Sequence, residues 1–192
     1  MSGHSFERRA ERTVHQGHIW HLATAEFVAP DGTSFERDIV RSPGAVAVVP
    51  LRFDPEGVPY VVLLSQYRPP HEELVVEIPA GMRDIDGEDT AQVARRELIE
   101  EAGLDAERLD LLTAIYPSPG MTDSVTTIYL ATGCTEVPDD RQGPEEEHMT
   151  KELVTLDAAV EMVERGEIRD AKTVVGLLLT ARRLARGDLG AD

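Results

Sequence analysis

Residues 81–104 read GMRDIDGEDTAQVARRELIEEAGL and constrain the fold more than any other stretch. A helix is expected here. Val93, Leu98 and Ala102 supply apolar positions among many charges, and Gly103 suits the residue that ends a helix. Glu97, Glu100 and Glu101 stand at i, i+3 and i+4. With about 3.6 residues per turn, all three share one face. Like charges at that spacing repel, costing roughly a few tenths of a kcal/mol per pair. A helix selected for stability alone would interleave lysines. A positive group is therefore expected over that face, unless the face is simply solvated. Hard divalent cations such as Mg²⁺ accept oxygen ligands of this kind. Arg95 and Arg96 stand beside the cluster and can orient a carboxylate through a bidentate pair. Gly81 and Gly87 suit a tight loop before the helix, where positive φ or close backbone approach is required. From such a loop a backbone carbonyl, that of Ala80 for instance, reaches a metal.

Around this segment the pattern alternates between strands and helices. Residues 1–12 are charged and are expected to fray. Residues 18–28 and 34–40 flank the Pro30-Asp31-Gly32 turn and read as a β-hairpin. Strands are predicted over 45–51, 59–67, 74–78, 111–116, 125–131 and 153–156. Residues 59–67 are apolar enough to be buried on both faces. Residues 136–149 read as an acidic loop bearing proline and glycine. Helices are predicted over 157–165, stopped by Gly166, and over 170–185, with Asp170 as N-cap and Gly187 as stop. The expected class is α/β (α+β), with a small N-terminal sheet region over 1–43 and a main domain over 44–192.

Composition narrows the function. Nineteen Lys and Arg against 36 Asp and Glu give a formal net charge of −17. So acidic a chain is not expected to bind nucleic acid or an anionic membrane, which select clustered cations. Carboxylates can still recruit phosphates through divalent metals. The single cysteine, Cys134, permits no internal disulfide and fits a reducing cytoplasm. Cys134 itself reads as a small, buried apolar residue. The polar N-terminus does not resemble a signal peptide, and no stretch approaches the ~20 apolar residues of a membrane span. His15, His18 and His21 recur every three residues, but in a strand such positions point to opposite faces.

Glu88, seven residues, then Arg96-Glu97-Leu98-x-Glu100-Glu101-x-Gly103-Leu104 resembles the Nudix box of the Nudix hydrolase superfamily. One departure is visible. Between Gly81 and Glu88 this chain has six residues where the family usually has five. The extra residue belongs to the loop, not the helix. Gln66-Tyr67-Arg68, Glu77-Ile78-Pro79-Ala80-Gly81, Tyr116-Pro117-Ser118-Pro119-Gly120 and Gly166-Glu167-Ile168-Arg169-Asp170-Ala171 resemble the ADP-ribose pyrophosphatase branch.

The resemblance implies a Nudix α/β/α sandwich with a small N-terminal antiparallel β-sheet, exchanged between the subunits of a homodimer. It implies metal-dependent hydrolysis of ADP-ribose to AMP and ribose 5-phosphate, with Mg²⁺ or Mn²⁺. Another nucleoside diphosphate sugar, such as ADP-glucose or GDP-mannose, is the alternative substrate. A non-catalytic nucleotide sensor would be expected to lack Glu97 or Glu101, and both are present. The implied metal ligands are Glu97, Glu101, the Ala80 carbonyl and Glu147, with Glu100 assisting. Glu88, acting through Arg96, and Gly81 are expected to support the loop–helix geometry. Glu145, in the acidic loop, is the expected general base, although three adjacent glutamates leave its register open. Arg68 is the expected phosphate contact, being forked and permanently charged. Glu77, Ser118, Gly120 and Asp123 are expected to line the substrate pocket, with Arg41 reaching a partner's site.

Overall fold

The computed structural model describes residues 5–85, 87–138 and 147–189. The chain divides into two compact units, Met1–Gly44 with Tyr116–Val125, and Ala45–Ile115 with Thr126–Asp192.

The first unit is built on three antiparallel strands in the order β1 (Glu7–Gln16), β2 (His21–Val28), β3 (Ser34–Arg41). Strand β1 corrects the expectation of a frayed N-terminus. Its residues are all exposed, so no apolar alternation marks it in the sequence. Its backbone ladder to β2, from Glu7↔Val28 to Gln16↔His21, holds it. Phe27 and Phe35 stack across β2 and β3 with centroids 5.5 Å apart, and Arg37 lies 4.8 Å above the Phe35 ring. The 116–125 segment joins this unit through backbone. The Val40 amide donates to the Met121 carbonyl at 2.9 Å, and the Thr122 hydroxyl donates to the Val40 carbonyl at 2.7 Å.

The second unit is a mixed sheet between helices. Its strands are β4 (Ala45–Phe53), β5 (Pro59–Arg68), β6 (Glu73–Glu77), β7 (Ala80–Met82), β9 (Arg108–Ile115), β10 (Thr126–Thr132) and β12 (Thr150–Thr155), in the order β12-β5-β4-β10-β9. The short pair β8 (Leu104–Asp105) and β11 (Thr135–Glu136) stands apart. The helices with bounds among the described residues are α1 (Thr90–Ala102), α2 (Leu156–Glu164) and α3 (Ala171–Ala185). Side chains alternate along the central strands β4, β5 and β10, so each of them feeds two cores. Val46, Val48, Val62, Leu64, Tyr129 and Ala131 meet Val93, Ala94 and Leu98 of α1. On the opposite face Ala47, Val49, Val61, Leu63, Ile128 and Leu130 meet Leu156 and Ala159 of α2 and Leu177 of α3. Both faces are covered, which is why these strands read as continuous apolar runs. This unit is the expected α/β/α sandwich, and the three-stranded sheet is the expected small antiparallel one.

One irregularity of the sheet positions the site. Strand β4 pairs with β5 only at Leu51–Phe53, and with β7 at Ala45–Ala47. The two long strands diverge, and the β6–β7 segment fills the gap. Strand β6 pairs with β5, and β7 pairs with β4. Among the described residues no helix is long and apolar enough to cross a membrane.

Candidate active site

Helix α1 starts on a capping box. The Asp89 carboxylate accepts from the Ala91 and Gln92 amides at 2.9 Å, and the Gln92 side chain accepts from the Asp89 amide at 3.0 Å. It ends at Gly103, whose φ of 63° is left-handed. Ahead of it, Gly87 adopts φ 83°. The extra loop residue therefore lies before the cap, and the helix register is untouched.

The buried stripe of α1 is Val93, Ala94, Glu97, Leu98, Glu101 and Ala102. Glu97 and Glu101 continue the apolar stripe as carboxylates, and only 6% and 4% of their surfaces are exposed. Burying two carboxylates on a core-facing stripe is costly unless each is held by polar partners. Arg96 Nη1 pairs with Glu97 Oε1 at 2.7 Å. The Ala80 amide donates to Glu101 Oε2 at 2.8 Å. Glu100 is less buried and pairs with Arg96 Nη1 at 3.1 Å. Glu88 Oε2 stands 3.4 Å from Arg96 Nε, an ion pair rather than a hydrogen bond. Burial works against the charge of Arg96, but Glu97, Glu100 and Glu88 outweigh it and raise its pKa.

Strand β7 meets Glu101 through the Ala80 amide and Glu97 through Gly81. The Val48 amide donates to the Pro79 carbonyl at 2.9 Å, so residues 48 and 79 form a hydrogen-bonded pair. The next pair, Ala47↔Ala80, is then a non-hydrogen-bonded one. Its consequence is that the N–H and C=O of Ala80 turn away from β4. The amide is taken by Glu101, and the carbonyl faces the same side. Gly81 serves a different need from Gly87. A Cβ at Gly81 would overlap the Glu97 carboxylate, so the backbone approaches the side chain as only glycine permits.

A second polar cluster sits on the β5–β6 hairpin. Arg68 Nε and Nη2 pair with Glu77 Oε1 and Oε2 at 2.6 and 2.8 Å. Glu77 is 3% exposed. Its Oε2 also accepts a short bond from Lys172 Nζ, and Lys172 lies 3.0 Å from Asp170. Burial pushes the Glu77 carboxyl up, but Arg68 and Lys172 together outweigh it and hold it below its ordinary value. The Arg68 guanidinium is raised, first by its bond to Glu77 and further by the charges of Glu77, Glu101 and Asp170. The field of Glu101 thus reaches Arg68.

The structure brings together Ala80, Gly81, Glu88, Arg96, Glu97, Glu100 and Glu101, and it brings together Arg68 and Glu77. Glu147 is exposed, and Glu145 lies outside the described residues. Arg41, Ser118, Gly120 and Asp123 belong to the other unit. There Arg41 pairs with Glu11 and, at 3.0 Å, with Asp123, whose other oxygen accepts from the Ser42 amide at 3.1 Å. The Ser118 carbonyl accepts from the Met121 and Thr122 amides at 3.0 Å. Sequence reasoning passed over Lys172. A lysine in the first turn of α3 opposes the helix dipole, and that was the available sign of a buried anion nearby.

The donor chemistry fits a hard divalent cation, since it consists of carboxylates and an amide-chain carbonyl. Among the described residues no three acidic, His or Cys side chains converge as a ready-made metal site; Arg96 stands among the carboxylates instead.

An α/β/α sandwich carrying a glycine-led loop and a helix with buried carboxylates is the architecture that the resemblance to the Nudix superfamily implies. Residues 41–175 match the NUDIX domain model, and the chain belongs to that family. It is 36% identical over 168 residues to an ADP-ribose pyrophosphatase of Bacillus subtilis (strain 168), covering 88% of each chain. It is 34% identical over 177 residues to a methanol dehydrogenase activator of Bacillus methanolicus, covering 91% of this chain and 93% of that one. Among solved structures it resembles an ADP compounds hydrolase with TM-score 0.80 and 21% identity, covering 98% of each chain, a likeness of fold. The chain is therefore an enzyme, a hydrolase of the Nudix kind.

Proposed function

We propose that this chain hydrolyses the pyrophosphate bond of ADP-ribose, giving AMP and ribose 5-phosphate, with Mg²⁺ or Mn²⁺. The observation that supports it is the pair Glu97 and Glu101, buried on the core stripe of α1 and held against the backbone of β7. In this reading Glu97, Glu101 and the Ala80 carbonyl hold metal, with Glu100 and Glu147 contributing. A bound hard cation there would neutralise phosphate oxygens and acidify a water.

The chain's own residues do the rest. The Arg68 pairing with Glu77 uses Nε and Nη2, which leaves the Nη1 donors out of it for a substrate phosphate. The Ala80 amide and Gly81 hold the carboxylates in place. Glu145 takes the proton from the attacking water as its oxygen bonds to phosphorus. The bridging P–O bond breaks, and its electron pair leaves with the departing phosphate. Arg41, Ser118, Gly120 and Asp123 are proposed substrate contacts on the strength of the resemblance, and so is the homodimer.

The test is turnover of a nucleotide panel with a phosphate-coupled readout. ADP-ribose hydrolysis that requires Mg²⁺ or Mn²⁺ and falls at least ~100-fold in Glu101→Gln is the expected result. Preference for ADP-glucose or GDP-mannose would move the substrate while keeping the chemistry. Unchanged turnover in both Glu97→Gln and Glu101→Gln would overturn the site. Gln substitutions at 145, 146 and 147 assign the base, and three wild-type rates would remove it from that loop.

A further inference from the structure

The N-terminus of α3 reaches the β5–β6–β7 segment at two points. Asp170 caps the helix by accepting from the Thr173 amide at 3.0 Å and from the Thr173 hydroxyl at 2.6 Å. That same hydroxyl oxygen accepts from the Ile78 amide at 2.9 Å, and Thr173 is fully buried. One residue earlier, Lys172 binds both Glu77 and Asp170. Consecutive residues of α3 therefore hold consecutive residues of the β6–β7 segment: Lys172 holds Glu77, the last residue of β6, and Thr173 holds Ile78 just beyond it. The held segment runs on through Pro79 to Ala80 and Gly81, the two residues that meet Glu101 and Glu97.

We propose that Lys172 is a positioning residue for substrate binding, acting through Glu77 to fix the fork of Arg68 against the substrate phosphate. This rests on the reading of Arg68 given above. The argument is geometric. Among the described residues Glu77 is the partner of both Nε and Nη2 of Arg68, and it is buried while Arg68 is partly open to solvent, with 37% of its side chain exposed. A carboxylate with a single cationic partner can rotate about its own side-chain torsions. Lys172 gives Oε2 a second donor besides Arg68 and thereby restrains the plane in which the guanidinium must lie. A bidentate fork transmits that plane to the donors that remain. The side chain of Lys172 is itself only 16% exposed and has Asp170 as a second acceptor, so its ammonium is not free to wander. The arrangement also accounts for a lysine placed against the helix dipole.

Two readouts separate this proposal from the function it rests on. The first needs no substrate: the Arg68 Nε–H resonance in a ¹⁵N-arginine spectrum of the whole protein. In the wild type the expected signal is shifted and slowly exchanging, since Nε–H is bonded to Glu77. Lys172→Met returns it toward the position and exchange rate of the exposed arginines, while Lys172→Arg keeps it. The second is steady-state kinetics on ADP-ribose. Lys172→Met raises KM about tenfold with kcat nearly unchanged, and Lys172→Arg recovers most of the loss. In an Arg68→Ala background Lys172→Met adds little, because the residue it acts through is gone. Additive losses in that double variant, or an Arg68 signal unmoved by Lys172→Met, would overturn the proposal. Should Lys172→Met fold poorly, Lys172→Gln replaces it: it likewise removes the charge facing Glu77, and the same shift of the Arg68 signal and the same rise in KM are expected, their absence overturning the proposal. A wild-type protein with an ordered Arg68 signal and no turnover of ADP-ribose would sink the substrate assignment alone.

Discussion

The Cα of Gly81 faces the carboxylate of Glu97 with no room for a methyl group between them. The contact ties a main-chain atom of β7 to a side chain of α1, so substituting one residue displaces the other. Gly81→Ala is expected to push the Glu97 carboxylate off its position and lower turnover at least ~10-fold. Because the obstacle is a side-chain tip rather than a positive φ, the fold survives. Circular dichroism and a melting curve close to wild type, alongside the lost rate, are the expected result. A wild-type rate would separate Gly81 from the site.

Arg96 stands among four carboxylates, at 2.7 Å from Glu97, 3.1 Å from Glu100, 3.4 Å from Glu88 and 3.5 Å from Asp84. Arg96→Met removes the charge and leaves their repulsion, which is expected to cost about 1–3 kcal/mol in a denaturant titration. Added Mg²⁺ is expected to recover more stability in this variant than in the wild type, by mass action on a site of increased negative charge. Equal recovery in both proteins would show that the cation binds away from this cluster.

Glu77 gives a pH signature. Its folded pKa lies below the ordinary 4.5, so its ionised form stabilises the fold. That contribution is complete above the unfolded value and is lost as pH falls through the lower, folded one. The stability gap between wild type and Glu77→Gln should therefore be constant near neutrality and shrink on acidification below about 4.5. A gap that grew on acidification would mean that the carboxyl is protonated in the fold.

Burial pushes the Cys134 thiol up to about 11. At pH 8 about one molecule in a thousand would carry the thiolate, so alkylation by iodoacetamide should be far slower than for a free thiol. Rapid, stoichiometric labelling of the native protein at pH 8 would contradict this burial.

The helix and its carboxylates were legible because the signal is local. Spacing in a helix fixes which residues share a face, and Gly103 marks the end. The same local arithmetic placed Glu97, Glu100 and Glu101 together, but it did not show that Glu97 and Glu101 are buried with Glu100 outside them. That distinction arises from what α1 packs on. Strand β7 was not legible at all: three residues after a proline carry no alternation, and the partner that makes them a strand, Ala45–Ala47, is far away in sequence. Strand β1 escaped for the opposite reason, since a fully exposed strand has no buried face to show. Lys172 and Thr173 matter through residues some 95 positions away, which no periodicity records.

The divergence of β4 and β5 carries a constraint on how this chain can change. Residues 68–82 run from Arg68, bound to Glu77, to the backbone beside the α1 carboxylates in one stretch anchored at both ends, so a single insertion there would slide the two halves of the proposed site out of phase. The Asp54–Gly57 turn, which leads back into β5, carries no such burden, and length variation among descendants of this sequence should collect there.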